Sequence, residues 1–367
     1  MSPLVTVLMP VYNGLPYLRE AIESVLCQTF SDFEFLIIDD ASTDGSIACV
    51  RSYKDSRIRL TRNERNLGQT RSLNIGLELA RGIYVARLDQ DDLCFPERLQ
   101  KQVTLLENMS QVAVVGTWGY TIDSLDRRTG VWRGGLNDYE TFIGLLLLGK
   151  CPMWHPSVMY RRDVIAGLGG YDESYEPAAD YDLWIRVALS RHNACNIPEP
   201  LIMYRIHDGQ QTASKLSTSV RNTQRSHVNL LKVFCNSGEL GMVGELLRWE
   251  SSFWRSAKSK RQILSVLRTL DEILLAMQTT LQLSNEEFIN LRKLVYRRLG
   301  PGARIGRSMA FLPGVLFRPA FFMLAPWLLP GVRPFLSRLL GNFKKLLYGI
   351  KMALYSLSYK VAFLNNE

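Results

Sequence analysis

The chain has no Cys-x-x-Cys pair. Its six cysteines, at 27, 49, 94, 151, 195 and 235, are scattered and none clusters with the four histidines. That pattern excludes a structural zinc site and points to reduced thiols in a cytosolic protein. No Gly-x-Gly-x-x-Gly follows the first apolar run, so the phosphate-binding turn of a dinucleotide-dependent dehydrogenase is missing. Internal repeats and low-complexity tracts are absent too. The opening MSPLVTVLMPVYNG has no basic stretch leading into a long apolar one and a small-residue cleavage site, so no secretory signal is expected.

Acidic residues are scarce in one region. Residues 301–367 hold nine Lys/Arg and a single acid, Glu367, so eight of the nine net positive charges lie there and the first 300 residues are near neutral. What is present fits a folded chain: 367 residues with 47% hydrophobic and 22% charged side chains exclude wholesale disorder, and the length suffices for one large domain with an appendage or for two domains.

The first half alternates short apolar runs with helical periods. Val5 to Met9 reads as a strand, Leu18, Ile22, Val25 and Leu26 recur at helical spacing, and Phe33 to Ile38 is a strand again. A Ser/Thr/Asp/Gly turn at 42 to 46 and a short helix follow, then a strand near Ile58 to Leu60, a helix from Gln69 to Ala80, a strand over 83–88, and a helix opened by Pro96. Such alternation predicts an α/β fold, a Rossmann-like and mostly parallel sheet flanked by helices, with ligands bound beyond the carboxyl ends of its strands. From about 215 to 300 only helical patterns remain, and from 301 the composition shifts again. The boundaries expected are a catalytic domain over 1–215, a helical region over 216–300 and a tail over 301–367.

At the end of the predicted strand 83–88 stands RLDQDDL, with Asp89, Asp91 and Asp92 in four positions. Like charges this close repel unless a cation neutralises them. Residues two apart in an extended chain face one side, so Asp89 and Asp91 share a site and Gln90 turns away from it. Two carboxylates at a strand end suit a hard divalent ion, Mg or Mn. A solvated loop, or aspartates capping the helix behind Pro96, is the plain alternative.

Seven stretches settle the context: VTVLMPVYNG (5–14), FLIIDDASTDGS (35–46), NERNLGQTRSLNIGL (63–77), ARLDQDD (86–92), HPSVMYRRD (155–163), DYDLWIRVA (180–188) and YRIH (204–207). Together they resemble the glycosyltransferases of family 2, which have the GT-A fold; the resemblance covers roughly residues 4 to 210. It implies an inverting transferase that takes a sugar from a nucleotide-diphosphate donor, with Mg or Mn as cofactor and a lipid-linked or saccharide acceptor in cell-envelope or exported polysaccharide synthesis. By the same resemblance Pro10, Tyr12 and Asp39 hold the nucleotide base, Arg71 reaches base or phosphate, Asp89 lies near the ribose and metal waters, and Asp91 is the direct metal ligand. Asp40 and Asp44 are equally good turn formers.

Inverting transfer needs a general base for the acceptor hydroxyl. The family supplies it from a Glu-Asp pair ahead of a helix, and here the matching residues are Ala179 and Asp180. The aspartate is present and its Glu neighbour is not. Asp180 also suits a helix cap. His207 is placed by the resemblance near the diphosphate or metal and His155 on the acceptor side, while Met153, Trp154 and Trp184 could stack on a sugar or fill the core.

Two further readings stand beside this one. A processive polysaccharide synthase would carry several spans and a Gln-x-x-Arg-Trp motif, where this chain has Glu245, Arg248 and Trp249. A degenerate protein would bind a nucleotide sugar without turnover, which Ala179 keeps open. In the tail, 308–330 is apolar but holds four prolines and Arg318, so a monotopic or re-entrant segment fits better than a span. Beyond it Phe335, Leu339, Phe343, Leu346, Leu347, Ile350, Leu354, Leu357 and Val361 share one helical face opposite Arg333, Arg338, Lys344, Lys345, Lys351 and Lys360. This basic amphipathic pattern suits an anionic membrane surface and not a nucleic acid. The expected location is the cytoplasmic face of the plasma membrane, held peripherally or monotopically.

Overall fold

The computed structural model describes residues 2–210, 215–248 and 260–298. It resolves into two units, one of residues 1–256 with 265–299, the other of 257–264 with 300–367. The second lies almost wholly outside the described residues, as do the apolar stretch 308–330 and the basic amphipathic pattern beyond it. Residues 216–248 and 265–298 belong to the same compact unit as the sheet, so position 215 separates no two units.

β1 (Val5–Val11) is buried along its whole length, as a continuous apolar run should be when helices cover both faces of a parallel sheet. α1 (Leu18–Leu26) turns Leu18, Ala21, Ile22 and Val25 inward at the spacing of one helical face. β2 (Phe33–Asp39), α2 (Ser46–Ser52), β3 (Ile58–Arg62), α3 (Gln69–Leu79) and β4 (Tyr84–Arg87) follow. The order β3-β2-β1-β4 is parallel throughout, and the register sets Val11 beside Asp39 and Asp39 beside Arg62, so these ends finish at one level. Gly82, in the turn before β4, passes so close to β1 that a Cβ there would meet Thr6 N at 2.4 Å. Pro10 lacks an N–H for the ladder, yet costs β1 little. Its pairing with β4 covers only Val5 to Leu8, and Pro10 faces β2 beyond that point.

Past β4 the sheet becomes mixed. β5 (Leu93–Cys94), α4 (Arg98–Asn108), β6 (Val112–Ile122), β7 (Arg128–Trp132), α5 (Tyr139–Leu147), β8 (Met159–Arg161), α6 (Arg162–Gly167), α7 (Ala179–Leu189) and β9 (Asn193–Arg205) complete the domain. Among the described residues the sheet has nine strands in the order β3-β2-β1-β4-β8-β6-β9-β5, with β7 on β6. β8 runs antiparallel to β4 and β6, β7 to β6 and β5 to β9, while β6 and β9 are parallel. The parallel half follows the predicted α/β alternation; the rest is joined partly by a hairpin and short turns, which need no crossover helix.

The helical extension comprises α8 (Leu216–Phe234), α9 (Leu240–Arg248), α10 (Lys260–Thr280) and α11 (Asn285–Arg298). α8 is tied to the end of α5 by buried His227, whose Nε2 donates to the carbonyl of Leu147 at 2.6 Å. α11 lies against Gly144 of α5, where a Cβ would meet Leu294 at 2.5 Å. Among the described residues no helix is long and apolar enough to cross a membrane.

Candidate active site

A cleft of about 940 Å³ opens beyond the carboxyl ends of β1 and β4, and Pro10, Tyr12, Asp89, Asp91, Asp180 and His207 all line it. Its first wall is two loops laced together. Asn13 N donates to Ser42 Oγ, Thr43 N to Asn13 Oδ1, Gly14 N to Ser46 Oγ and Leu15 N to Asp44 Oδ2, each at 2.8–3.0 Å. Asp44 also accepts from Ser46 at the start of α2, so it is a turn former. Asp40 spends its carboxylate likewise, on Asn63 Nδ2, Leu67 N and Gly68 N.

Asp39 differs. Buried at the end of β2, it accepts from Ser42 N through Oδ2, which also faces Arg62 Nε at 3.3 Å, while Oδ1 has no hydrogen-bond partner among the described residues. Tyr12 stands on the lip of the cleft, 46% exposed. Gln90 grips its main chain at both ends, accepting from Tyr12 N at 2.8 Å and donating to Tyr12 O at 3.1 Å. Alternation along an extended strand would turn Gln90 away from the site, but the chain folds into a turn there, with Asp92 N bonded to Asp89 O. Arg71 is corrected in the opposite sense. It stands in the first turn of α3 outside the cleft lining and pairs with Glu173 at 3.2 Å, because its position on the helix faces the loop before α7 rather than the strand ends.

The turn gathers the carboxylates. Oxygens of Asp89, Asp91 and Asp92 lie within 4.8 Å of one another. Asp89 accepts from Arg87 Nη2 at 2.7 Å and from Gln69 Nε2 at 2.9 Å, and Asp91 meets His207 Nε2 at 2.9 Å. Asp92, which sequence reasoning left out of the site, is fully buried: Oδ1 accepts from Arg205 N, and Oδ2 has no partner among the described residues. Burial, then the charge of Asp89, raises the carboxyl of Asp91; burial, then Asp91 and Asp89, pushes Asp92 well above the usual carboxylate range. Crowded hard oxygens that resist their own ionisation fit a divalent cation such as Mg or Mn.

The opposite wall carries Asp180. The cap of α7 is Ala178, without a side-chain hydrogen bond, and Asp180 lies one step inside the first turn, where it faces the cleft. Cys151 Sγ approaches its Oδ2 at 3.7 Å. Burial raises the Asp180 carboxyl, opposed by the N–H of Tyr181, the charge of Arg87 and the Cys151 thiol. His155 lines the same wall with Nε2 2.9 Å from the Tyr171 hydroxyl, and burial, then Arg87, drives its pKa well below the ordinary imidazole value. Trp184 does not reach the cleft. Four residues on from Asp180, it lies fully buried, edge-on to His155 at 6.1 Å, so it is a core residue and no sugar platform. Met153 is buried as well. The aromatic residues on the wall are Trp154 and Tyr204, with Trp154 stacked on Trp132 at 5.0 Å and tilted against Tyr204 at 5.2 Å.

The family model Glycosyl transferase family 2 matches residues 6–169. The uncharacterized glycosyltransferase MJ1057 of Methanocaldococcus jannaschii is 33% identical over 243 residues, which is 64% of this chain and 83% of that protein. The chain belongs to glycosyltransferase family 2. The amylovoran biosynthesis glycosyltransferase AmsE of Erwinia amylovora is 30% identical over 205 residues, 54% of this chain and 75% of AmsE. Among solved structures, S. aureus TarS 1–349, crystallised with UDP-GlcNAc, superposes with a TM-score of 0.56 at 16% identity, covering 83% of this chain and 88% of that one. The fold is thus GT-A, and in this family 2 glycosyltransferase the strand-end carboxylates and Asp180 meet in one cleft.

Proposed function

We propose that this glycosyltransferase is metal-dependent and inverting, moving a sugar from a nucleotide-diphosphate donor to a lipid-linked or saccharide acceptor in cell-envelope or exported polysaccharide synthesis. The observation that carries the reading is that Asp89 and Asp91, with Asp92 buried behind them, share a single cleft with the helix-borne Asp180. The name of AmsE, which assigns it to amylovoran biosynthesis, supports the polymer context, and the UDP-GlcNAc bound by TarS supports the donor class.

In this reading Pro10 and Tyr12 frame the base, while Asp39, buried outside the cleft lining, supports that wall through Ser42. Asp91 and Asp89, with Asp92 behind them, would hold Mg or Mn, which when bound supplies neutralising charge to the diphosphate leaving group. Asp180 takes the proton of the acceptor hydroxyl as its oxygen bonds to the anomeric carbon. The bond from that carbon to the diphosphate oxygen breaks in the same displacement, and nucleoside diphosphate leaves with its electron pair. The raised carboxyl of Asp180 suits a base that must accept a proton near neutral pH. His207 fixes Asp91, and His155 borders the acceptor side. The basic tail supports a location at the cytoplasmic face of the membrane.

The experiment is release of nucleoside diphosphate from a panel of nucleotide sugars, with Mn and with EDTA, in the wild type, Asp91→Ala and Asp180→Ala. Metal-dependent release from one donor, lost in both variants, is the expected outcome. Donor binding without release, even with cell-envelope lipid extract as acceptor, would favour the degenerate reading, for which buried Ala179 is the specific motive.

A further inference from the structure

The carboxylate turn leaves the sheet between β4 and β5, and β5 is only two residues long. Leu93 and Cys94 pair with Met203 and Ile202 of β9, and continuing that antiparallel register sets Asp91 opposite Arg205. The ladder stops at Leu93, and side-chain bonds take its place. Arg205 N donates to Asp92 Oδ1 at 2.9 Å, and Arg205 Nε donates to the main-chain carbonyl of Asp91, also at 2.9 Å.

The rest of the guanidinium is anchored outside the turn. Nη2 binds Glu20 of α1 at 2.9 Å, while Nη1 binds the Asp126 carboxylate and, at 3.4 Å, the carbonyl of Asp123, both in the hairpin between β6 and β7. The Arg205 side chain is fully buried, whereas Glu20 and Asp126 are half exposed. A buried guanidinium is costly unless its donors are met, and here each of its three nitrogens has a partner. Its Cζ lies over the ring of Tyr17 at 4.4 Å, and the same ring meets the imidazole of His207 at 4.9 Å. His207 Nε2 in turn meets Asp91 Oδ2 at 2.9 Å. One short segment, 205–207, therefore grips Asp91 by its carbonyl and by its carboxylate.

We propose that Arg205 is the positioning residue of the metal site: its fork fixes the main chain of Asp91 against α1 and the β6–β7 hairpin, so that the carboxylates converge before a cation arrives. The inference rests on the reading of Asp89 and Asp91 as metal-holding. Ligands already in place lose less freedom on binding. The arrangement requires a fork and not merely a charge, because the single ammonium of a lysine cannot send donors to Asp91, Glu20 and Asp126 in three fixed directions.

The test reads metal affinity without turnover. Full-length protein is titrated with Mn in the absence of donor, free Mn being followed by electron paramagnetic resonance, in the wild type, Arg205→Lys, Arg205→Met and the double variant Glu20→Gln with Asp126→Asn. The double variant keeps Arg205 and alters only half-exposed side chains, so it gives a folded protein even where a change at the buried position does not; near-ultraviolet circular dichroism checks each. Both Arg205 variants are expected to weaken Mn binding about tenfold or more, Lys as much as Met, and the double variant several-fold. Mn affinity kept by a folded Arg205→Lys protein, or unchanged in the double variant, overturns the proposal and leaves Arg205 a merely structural residue. A wild type that binds no Mn overturns the metal reading itself, and the proposal falls with it.

Discussion

Ala41 occupies the left-handed region at φ 64°, between buried Asp40 and Ser42, where a β-carbon is unwelcome. The strain is held by the laced loops on either side, since Ser42 is bonded to both Asn13 and Asp39. Replacing it with glycine should remove a penalty of about 1 kcal/mol, so Ala41→Gly is expected to raise the urea midpoint with an unchanged m value; a lower midpoint would show that the loop needs the methyl group. Gln90 makes the complementary case. Two hydrogen bonds to Tyr12 at a net value of about 1 kcal/mol each predict that Gln90→Ala weakens donor binding on the order of tenfold, read as a raised donor KM with kcat nearly kept. The contrast marks the limit of sequence reading at this scale. Asp89 and Asp91 stand out because charge spacing is visible in one dimension. The role of Gln90 depends on a turn that alternation does not reveal, and Arg71 and Trp184 depend on which way a helix is rotated.

Among the elements, the parallel half was legible because β1 and β2 are continuous apolar runs of seven residues and the periodic helices α1 and α3 alternate with the strands. β5 and β8 have two and three residues, too few for any period. β9 is 13 residues long but contains Pro198 and Pro200, which argue against a strand; the ladder with β6 tolerates them by shifting register between Thr117 and Trp118. The extension was readable as helical but not where it docks, and His227 is the contact that shows it. Burial in the α5–α8 junction lowers its pKa to about 4. The neutral ring is the folded form, so its stabilising effect is complete above the unfolded value near 6.5 and drains away as pH falls from there toward 4. Between pH 7 and pH 5 the loss from this residue is about 2 kcal/mol. Urea titrations at the two pH values should therefore show a difference reduced by that amount in His227→Gln; an equal difference in both proteins would place the acid sensitivity elsewhere.

At the scale of the whole molecule, charge is divided between regions rather than spread. The first 300 residues are near neutral and hold the family 2 cleft, while 301–367 carry eight of the nine net positive charges among many apolar residues. A family 2 transferase that acts on a lipid-linked acceptor needs its cleft near the bilayer, and among the described residues no helix can span one. A polybasic amphipathic segment would meet that need, each cation near an anionic surface adding about 1 kcal/mol of attraction beyond whatever apolar area is buried. The full chain is accordingly expected to sediment with vesicles containing phosphatidylglycerol, to do so far less with purely zwitterionic ones, and to be released in part as salt is raised. Removing 301–367 should abolish sedimentation while leaving nucleoside diphosphate release from the donor, with a soluble acceptor present, intact. If the shortened chain still bound anionic vesicles as well as the full one, attachment would have to come from the GT-A domain and its helices, and the tail would need another explanation.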